Sequence, residues 1–118
     1  MRIIGKIDIN IYKCIAEDIV TDEVVLADKQ ILHIKERHPN DYEQFAEYFP
    51  DIIADPDNII KGNKPKTALI LKEIVDNGEL FKTILRLITS TDENRYKNSI
   101  ITFMKIDKKE WNRLPRYK

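Results

Sequence analysis

Both histidines of this chain fall within seven residues, His33-Ile34-Lys35-Glu36-Arg37-His38-Pro39. Imidazole changes charge near neutral pH, so acid/base chemistry that uses it can only start here. Two imidazoles with a guanidinium between them can take a proton, return one and hold an anion. The spacing is that of a short helix. Ile31, Ile34 and His38 recur at three and four residues and share one stripe, while His33 and Arg37, four apart, share the next. Pro39 stops the helix, because the residue before a proline is pushed out of the α region. Asp28 offers an N-cap carboxylate at the other end. His38 therefore lies at the carbonyl end, where a cation is favoured, and His33 lies one turn inside. A second reading stays open from spacing alone: His33 as a partly buried, hydrogen-bonded histidine, and Arg37 and His38 as no more than a cationic helix end. No metal site is expected. Helical metal ligands stand at i and i+4 on one face, whereas His33 and His38 are five apart and no third ligand stands out.

The elements that must position these groups belong to a chain of 118 residues, the size of one domain with one modest core. Residues 1–118 contain no repeat, linker or low-complexity segment. Twenty basic and twenty acidic residues cancel, so any case for a nucleic acid or an anionic membrane must come from local clustering. The single cysteine, Cys14, allows no internal disulfide, fits a reducing compartment and reads as a small core residue. The N-terminal residues lack a signal peptide's apolar stretch, and no window approaches the roughly 20 apolar residues of a membrane span. The expectation is a soluble, cytoplasmic protein with no membrane partner.

Residues 6–13 alternate, with Ile7, Ile9 and Ile11 on one side and Asp8, Asn10 and Tyr12 on the other, which reads as a half-buried strand. Glu23 to Leu26 is a short β-branched run, either a second strand or the lead-in to the helix at 28–38. Asn40 and Glu43 have the spacing of a capping box for a second helix, whose apolar stripe includes Phe45, Phe49 and Ile52 or Ile53. Pro50 kinks or splits that helix, and Asp55-Pro56-Asp57 ends it. The period then changes to two. Strands are expected at Asn58 to Lys61, Thr67 to Ile74, Leu80 to Ile88 and Asn98 to about Ile106, with a terminal helical turn from Lys108 to Arg113 anchored by Trp111. Helices early and strands late make the fold class α+β, with one or two N-terminal helices packed on an antiparallel sheet of four or more strands.

Asp76-Asn77-Gly78 is the strongest hairpin signal. A three-residue loop with Gly78 left-handed gives an even pairing register, in which Leu69 and Leu71 join Phe81, Leu85 and Leu87 on a core face. Lys72, Lys82 and Arg86 then gather on the other face, where like charges are unfavourable unless an anion sits among them. A two-residue turn at Asn77-Gly78 would instead pair Glu73 with Lys82. In the last strand Asn98, Ile100 and Thr102 alternate with Ser99, Ile101 and Phe103. The hydroxyls are either ordinary β-formers or donors to a phosphate. The tail holds Lys105, Lys108, Lys109, Arg113, Arg116 and Lys118 with Trp111 and Tyr117 interleaved, a pattern suited to single-stranded RNA.

The succession HIKERHP, DYEQF, FPDIIADPDNII, TALILKEI, LFKTILRLITSTD and YKNSIITFMKI, followed by WNR, resembles the phage-associated barnase-EndoU-colicin-RelE-like nucleases, above all the third of their named subgroups. The similarity runs from Leu26 to Arg113, and H-I-x-x-R-H-P together with YKNSIITF carries most of it. Met104 departs from the pattern, standing where an aromatic residue is common, and gives no stacking surface there. The resemblance implies helices packed on an antiparallel sheet of four or more strands and metal-independent cleavage of RNA, without a cofactor. It implies a phage, mobile-element or toxin setting in which an antitoxin or immunity protein is a possible partner. In such chemistry a base takes the 2'-hydroxyl proton, an acid protonates the leaving 5'-oxygen, and cations or N–H donors hold the phosphorane. The resemblance places His33, Arg37, His38, Ser99 and Thr102 in the catalytic set, with Lys72, Arg86 and Lys97 as substrate contacts. The alternative is a non-catalytic RNA- or protein-binding module of the same fold.

Overall fold

A computed structural model describes residues 2–74, 78–93 and 96–114. In chain order the elements are β1 (Arg2–Lys6), α1 (Ile9–Tyr12), β2 (Glu23–Leu26), α2 (Asp28–Arg37), α3 (Asp41–Phe45), α4 (Phe49–Ala54), β3 (Asn58–Lys61), β4 (Thr67–Ile74), β5 (Glu79–Arg86), β6 (Asn98–Ile106) and α5 (Lys108–Arg113). The fold is α+β. The strands form one six-stranded sheet in the order β1-β2-β6-β5-β4-β3.

The long strands form where the sequence alternates. In β5 Phe81, Thr83 and Leu85 are buried, and Lys82, Ile84 and Arg86 between them are half-buried. The first set joins Ile70 and Ala68 of β4 and Ile100 and Phe103 of β6 in the main core, which α2, α3 and α4 cover. Aromatic rings form its centre: Phe81 stacks on Phe103 at 4.9 Å, Phe45 meets Phe81 at 4.6 Å, and Phe49 meets Phe103 edge-on at 4.7 Å. Such pairs add about 1 kcal/mol each beyond the area they bury. The opposite face of the sheet is treated differently along its length. α5 covers one half, where Trp111 and Leu114 pack with Ile60, Leu71 and Ile106. Asp107 caps α5, its carboxylate accepting from the Glu110 N–H at 2.8 Å.

Several expectations are corrected. Residues 9–12 are helical, because Asp8 caps them by accepting from the Asn10 N–H at 3.0 Å. Tyr12 turns inward, fully buried, and its hydroxyl donates to the Ile53 carbonyl at 2.8 Å; the edge strand lies earlier, at Arg2–Lys6. Cys14 is exposed rather than core. Ala27 occupies the N-cap position of α2, and Asp28 sits in its first turn. Asn40 is left-handed (φ 75°) and makes no side-chain cap. Pro50 does split the second helical region, standing at the start of α4 after a turn of 3-10 helix at Ala46–Tyr48.

The sheet is mixed rather than wholly antiparallel, since β2 runs parallel to β6 through Val24↔Asn98 and Val25↔Ser99. A parallel pair needs a long crossover, and here the helices and three strands lie between the partners, beyond the reach of local periodicity. The β4–β5 register is odd: Thr67↔Arg86, Lys72↔Phe81, Ile74↔Glu79. Gly78 is left-handed (φ 69°), as the hairpin signal requires, and its N–H donates to the Ile74 carbonyl at 2.8 Å. Asp76 and Asn77 lie outside the described residues. With four residues, 75–78, between the last paired positions, both expected registers shift. Leu69 and Leu71 therefore share a face with Lys82, Ile84 and Arg86, and Lys72 joins Phe81 on the helix-bearing side.

Candidate functional site

The half of the sheet face that α5 leaves uncovered forms an open basin of about 440 Å³, lined in part by Val25, Arg86, Asp92, Tyr96, Lys97 and Ser99. Val25 of β2, Arg86 of β5 and Ser99 of β6 are its strand residues. Thr67, Arg86 and Ser99 stand abreast across β4, β5 and β6. A bulge in β6 then changes the alternation: Leu85 pairs with Ile100, but Ile84 pairs with Thr102. Asn98, Ile100 and Phe103 are buried on the helix side, and Ser99 and Thr102, three apart, come to the other face, where Ser99 lines the basin and Thr102 is buried outside its lining. Simple alternation had set them on opposite faces, and the bulge is the reason for the difference.

Asn98 fixes this end of the sheet. Fully buried, its carbonyl oxygen accepts from the Ile88 N–H at 2.8 Å and its amide donates to the Thr21 carbonyl at 2.8 Å. One side chain thus ties the start of β6 to the end of β5 and to the approach to β2, and sets the positions of Lys97 and Ser99 on either side of it.

The cations of the basin are each matched to an acid. Arg86 Nη2 donates to Asp92 Oδ1 at 3.0 Å, and Lys97 Nζ reaches Glu23 Oε1 at 2.6 Å. Asp92 also accepts from the Thr89 N–H at 2.9 Å and pairs with Lys66 Nζ at 3.2 Å. The Thr89 N–H, with Lys66 and Arg86 behind it, holds the Asp92 carboxyl below the ordinary carboxylate range against the opposing effect of desolvation. The Lys97 ammonium does the same to Glu23. Sequence reading missed Asp92, Glu23, Lys66 and Tyr96. Of these Tyr96 had a usable signal, an aromatic beside Lys97 at the entry of a strand.

Lys72 is not part of this basin, which corrects its expected role. The odd register turns it to the helix-bearing face, where its ammonium donates to the Asp55 carbonyl at 2.6 Å and pairs with Asp55 at 3.6 Å and Asp57 at 3.8 Å. It fastens the end of α4 to β4.

α2 sets the place of the histidine segment. Ala27, at its start, touches the basin, and Asp41, just past its end, accepts from the Lys105 N–H at 3.0 Å. α2 therefore runs beside β6 from the level of Ser99 to that of Lys105. Rises of about 1.5 Å per helical residue and 3.3 Å per strand residue bring His33 level with Thr102. Ile31 and Ile34 are buried, and Lys35 leans toward α3, pairing with Glu43 at 3.4 Å and lying over the Tyr42 ring. At about 100° per residue, His33 and Arg37 occupy the flank opposite Lys35, away from α3. Both are exposed. His38 is half-buried at the C-cap, its N–H donating to the Ile34 carbonyl at 2.8 Å; it stands about 140° around the axis from His33. Nothing among the described residues groups three metal-ligating side chains, and no described helix is long and apolar enough to cross a membrane.

The sheet thus carries α2, α3 and α4 on one face and α5 and the basin on the other. The model of the family described as phage-Barnase-EndoU-ColicinE5/D-RelE like nuclease 2 covers residues 1–116. The chain belongs to that family. It is the second such group, where the sequence resemblance had favoured the third. No curated protein and no solved structure matches the chain. This member of the nuclease family therefore has a nucleic acid as its implied substrate class.

Proposed function

We propose that this chain is a metal-independent endoribonuclease, with the basin beside α2 as its active site. The observation that supports the reading is that Arg86, Lys97 and Ser99 line one open surface, which Ala27, at the start of α2, also lines. A single-stranded RNA crossing this surface would lay its phosphate among these donors. His33 and His38 divide the two proton transfers, one removing the 2'-hydroxyl proton and the other protonating the leaving 5'-oxygen. Arg37 grips the phosphate with its fork of N–H groups, and Ser99 and Thr102 donate to its oxygens as charge builds on the phosphorane. Arg86 and Lys97 supply the positive field, and Tyr96, half exposed at 49%, offers a ring on which an unpaired base can stack. RNA is favoured over DNA because its 2'-hydroxyl is an internal nucleophile that side-chain bases alone can activate. A phage or toxin role follows from the same reading, with an antitoxin or immunity protein that covers the basin as its partner.

The test is direct. Purified, folded protein incubated with single-stranded RNA in EDTA leaves 2',3'-cyclic phosphate ends. Folded protein that cleaves no RNA, or cleaves only after a divalent metal is added, overturns the reading.

A further inference from the structure

We propose that Lys66 and Arg86, held on the two oxygens of the Asp92 carboxylate, form a subsite for a second phosphate of the RNA strand, flanking the one that is cleaved. The identity of the ligand rests on the nuclease reading; the Lys66 side of the subsite rests on geometry that the cleavage chemistry does not use. Two cations share one carboxylate, at 3.0 Å from Arg86 Nη2 and 3.2 Å from Lys66 Nζ, with Asp18, on which Lys66 also acts, as the second carboxylate near this corner. Donor capacity remains as well. Of the five guanidinium N–H groups of Arg86, one is given to Asp92 and one, on Nε, to the Leu87 carbonyl at 3.3 Å. Lys66 spends two of its three on Asp92 and on Thr91 Oγ1 at 2.6 Å. Both side chains are partly open to solvent, at 29% for Lys66 and 36% for Arg86.

The backbone supports a role for Lys66 beyond filling a turn. It is one of two non-glycine residues with positive φ among those described, at 61°, a conformation in which glycine would be cheaper. Its carbonyl accepts from the Leu87 N–H at 2.8 Å, so the turn that carries its side chain is fastened to the end of β5. Lys66 adjoins Thr67, and Thr67, Arg86 and Ser99 stand abreast on neighbouring strands. Two strand spacings put this end about 10 Å from Ser99, within reach of a neighbouring phosphate on a splayed single strand. Lys72 does not enter this corner; it is on the other face.

The experiment compares substrates that differ by one phosphate. A dinucleoside monophosphate is assayed beside the same molecule carrying an additional terminal phosphate, at the 5' or the 3' end, with wild type, Lys66→Gly and Lys66→Arg. Glycine suits the left-handed turn, and Lys66→Asn, also tolerant of that region, replaces it should the glycine variant not fold. In wild type the added phosphate raises kcat/KM about tenfold, the scale of one charge-assisted contact. Lys66→Gly loses most of that gain and Lys66→Arg restores it. On longer RNA the salt slope of binding falls by about 0.7 in the glycine variant, as one lost phosphate contact requires. An equal gain in wild type and Lys66→Gly, or no gain in wild type, overturns the subsite. If wild type cleaves neither these substrates nor longer RNA, the nuclease reading falls; whenever the short substrates are not cleaved, affinities for their 2'-O-methyl versions decide the subsite by the same comparison.

Discussion

Arg86 and Asp92, six residues apart and joined by the loop after β5, meet at 3.0 Å on the wall of the basin. The pair puts a fixed negative charge beside a proposed phosphate ligand. This is consistent only because Asp92 is shared with Lys66 and the Thr89 N–H, so that the cations outnumber it. The carboxylate serves as a peg that stops two long, flexible side chains from wandering, and the ordering is done before substrate arrives.

That arrangement makes the fold sensitive to acid. Asp92 is held below the ordinary Asp value of 3.8 first by the Thr89 N–H, Asp18 is held below it first by the Ser90 hydroxyl, and Glu23 is held below 4.5 by Lys97. A carboxyl whose folded value is depressed contributes its full stability above its unfolded value and loses it as pH falls through the folded one. Urea midpoints are therefore expected to be flat from neutrality down to pH 5 and to fall below that, and Asp92→Asn to show a shallower fall. An unchanged pH profile in Asp92→Asn would remove Asp92 from this account.

His33 and Lys72, both expected from the sequence to meet the substrate, carry opposite predictions. His33→Ala lowers single-turnover cleavage of RNA by about a hundredfold or more, the usual scale for a general acid or base. Lys72→Ala leaves cleavage near wild type and lowers stability modestly, because its partners are Asp55 and Asp57. A large rate loss in Lys72→Ala with intact folding would contradict the face assignment.

Much of this architecture was readable from the chain, and the failures share a cause. The bounds of β4, β6 and α5 and the split at Pro50 follow from alternation, turn residues and proline, all of which act within a few residues. Parity was harder. Ser99 and Thr102 share a face because β6 bulges against Leu85, and Lys72 leaves the face of Lys82 because residues 75–78 connect one more residue than the turn motif suggested. A shift of a single residue flips every side chain beyond it. Ile7 and Ile9 alternate like a strand, yet the Asp8 cap and the burial of Tyr12 against Ile53 decide for a helix. The β2–β6 pair joins segments more than 70 residues apart, so the wall made by Val25 beside Ser99 had no local trace.

The main core contains one imperfection that substitution can remove. Thr83 is fully buried among apolar neighbours, opposite Ile70 and Phe103, and its hydroxyl has no hydrogen-bond partner. Thr83→Val replaces the unpaired hydroxyl with a methyl group of similar shape and is expected to raise stability by about 1 kcal/mol. A higher urea midpoint with unchanged m-value is the sign to look for; destabilisation would mean that the hydroxyl has a partner in solution.

Asn98 links the fold to the site most tightly. Its two side-chain bonds satisfy the buried Ile88 N–H and the Thr21 carbonyl, and Asn98→Ala leaves both without that partner, beside a gap that the alanine methyl does not fill. The expected cost is about 3 kcal/mol, since each unsatisfied buried group costs on the order of 1–3 kcal/mol. Because Lys97 and Ser99 flank Asn98, the variant is also expected to lose cleavage activity at temperatures where circular dichroism shows it still folded. His33→Ala, by contrast, lowers cleavage with little change in melting, so the two variants separate damage to the scaffold from damage to the chemistry. Wild-type stability in Asn98→Ala would show that water or a neighbouring group takes over both bonds, and that the clasp is not what holds this end of the basin.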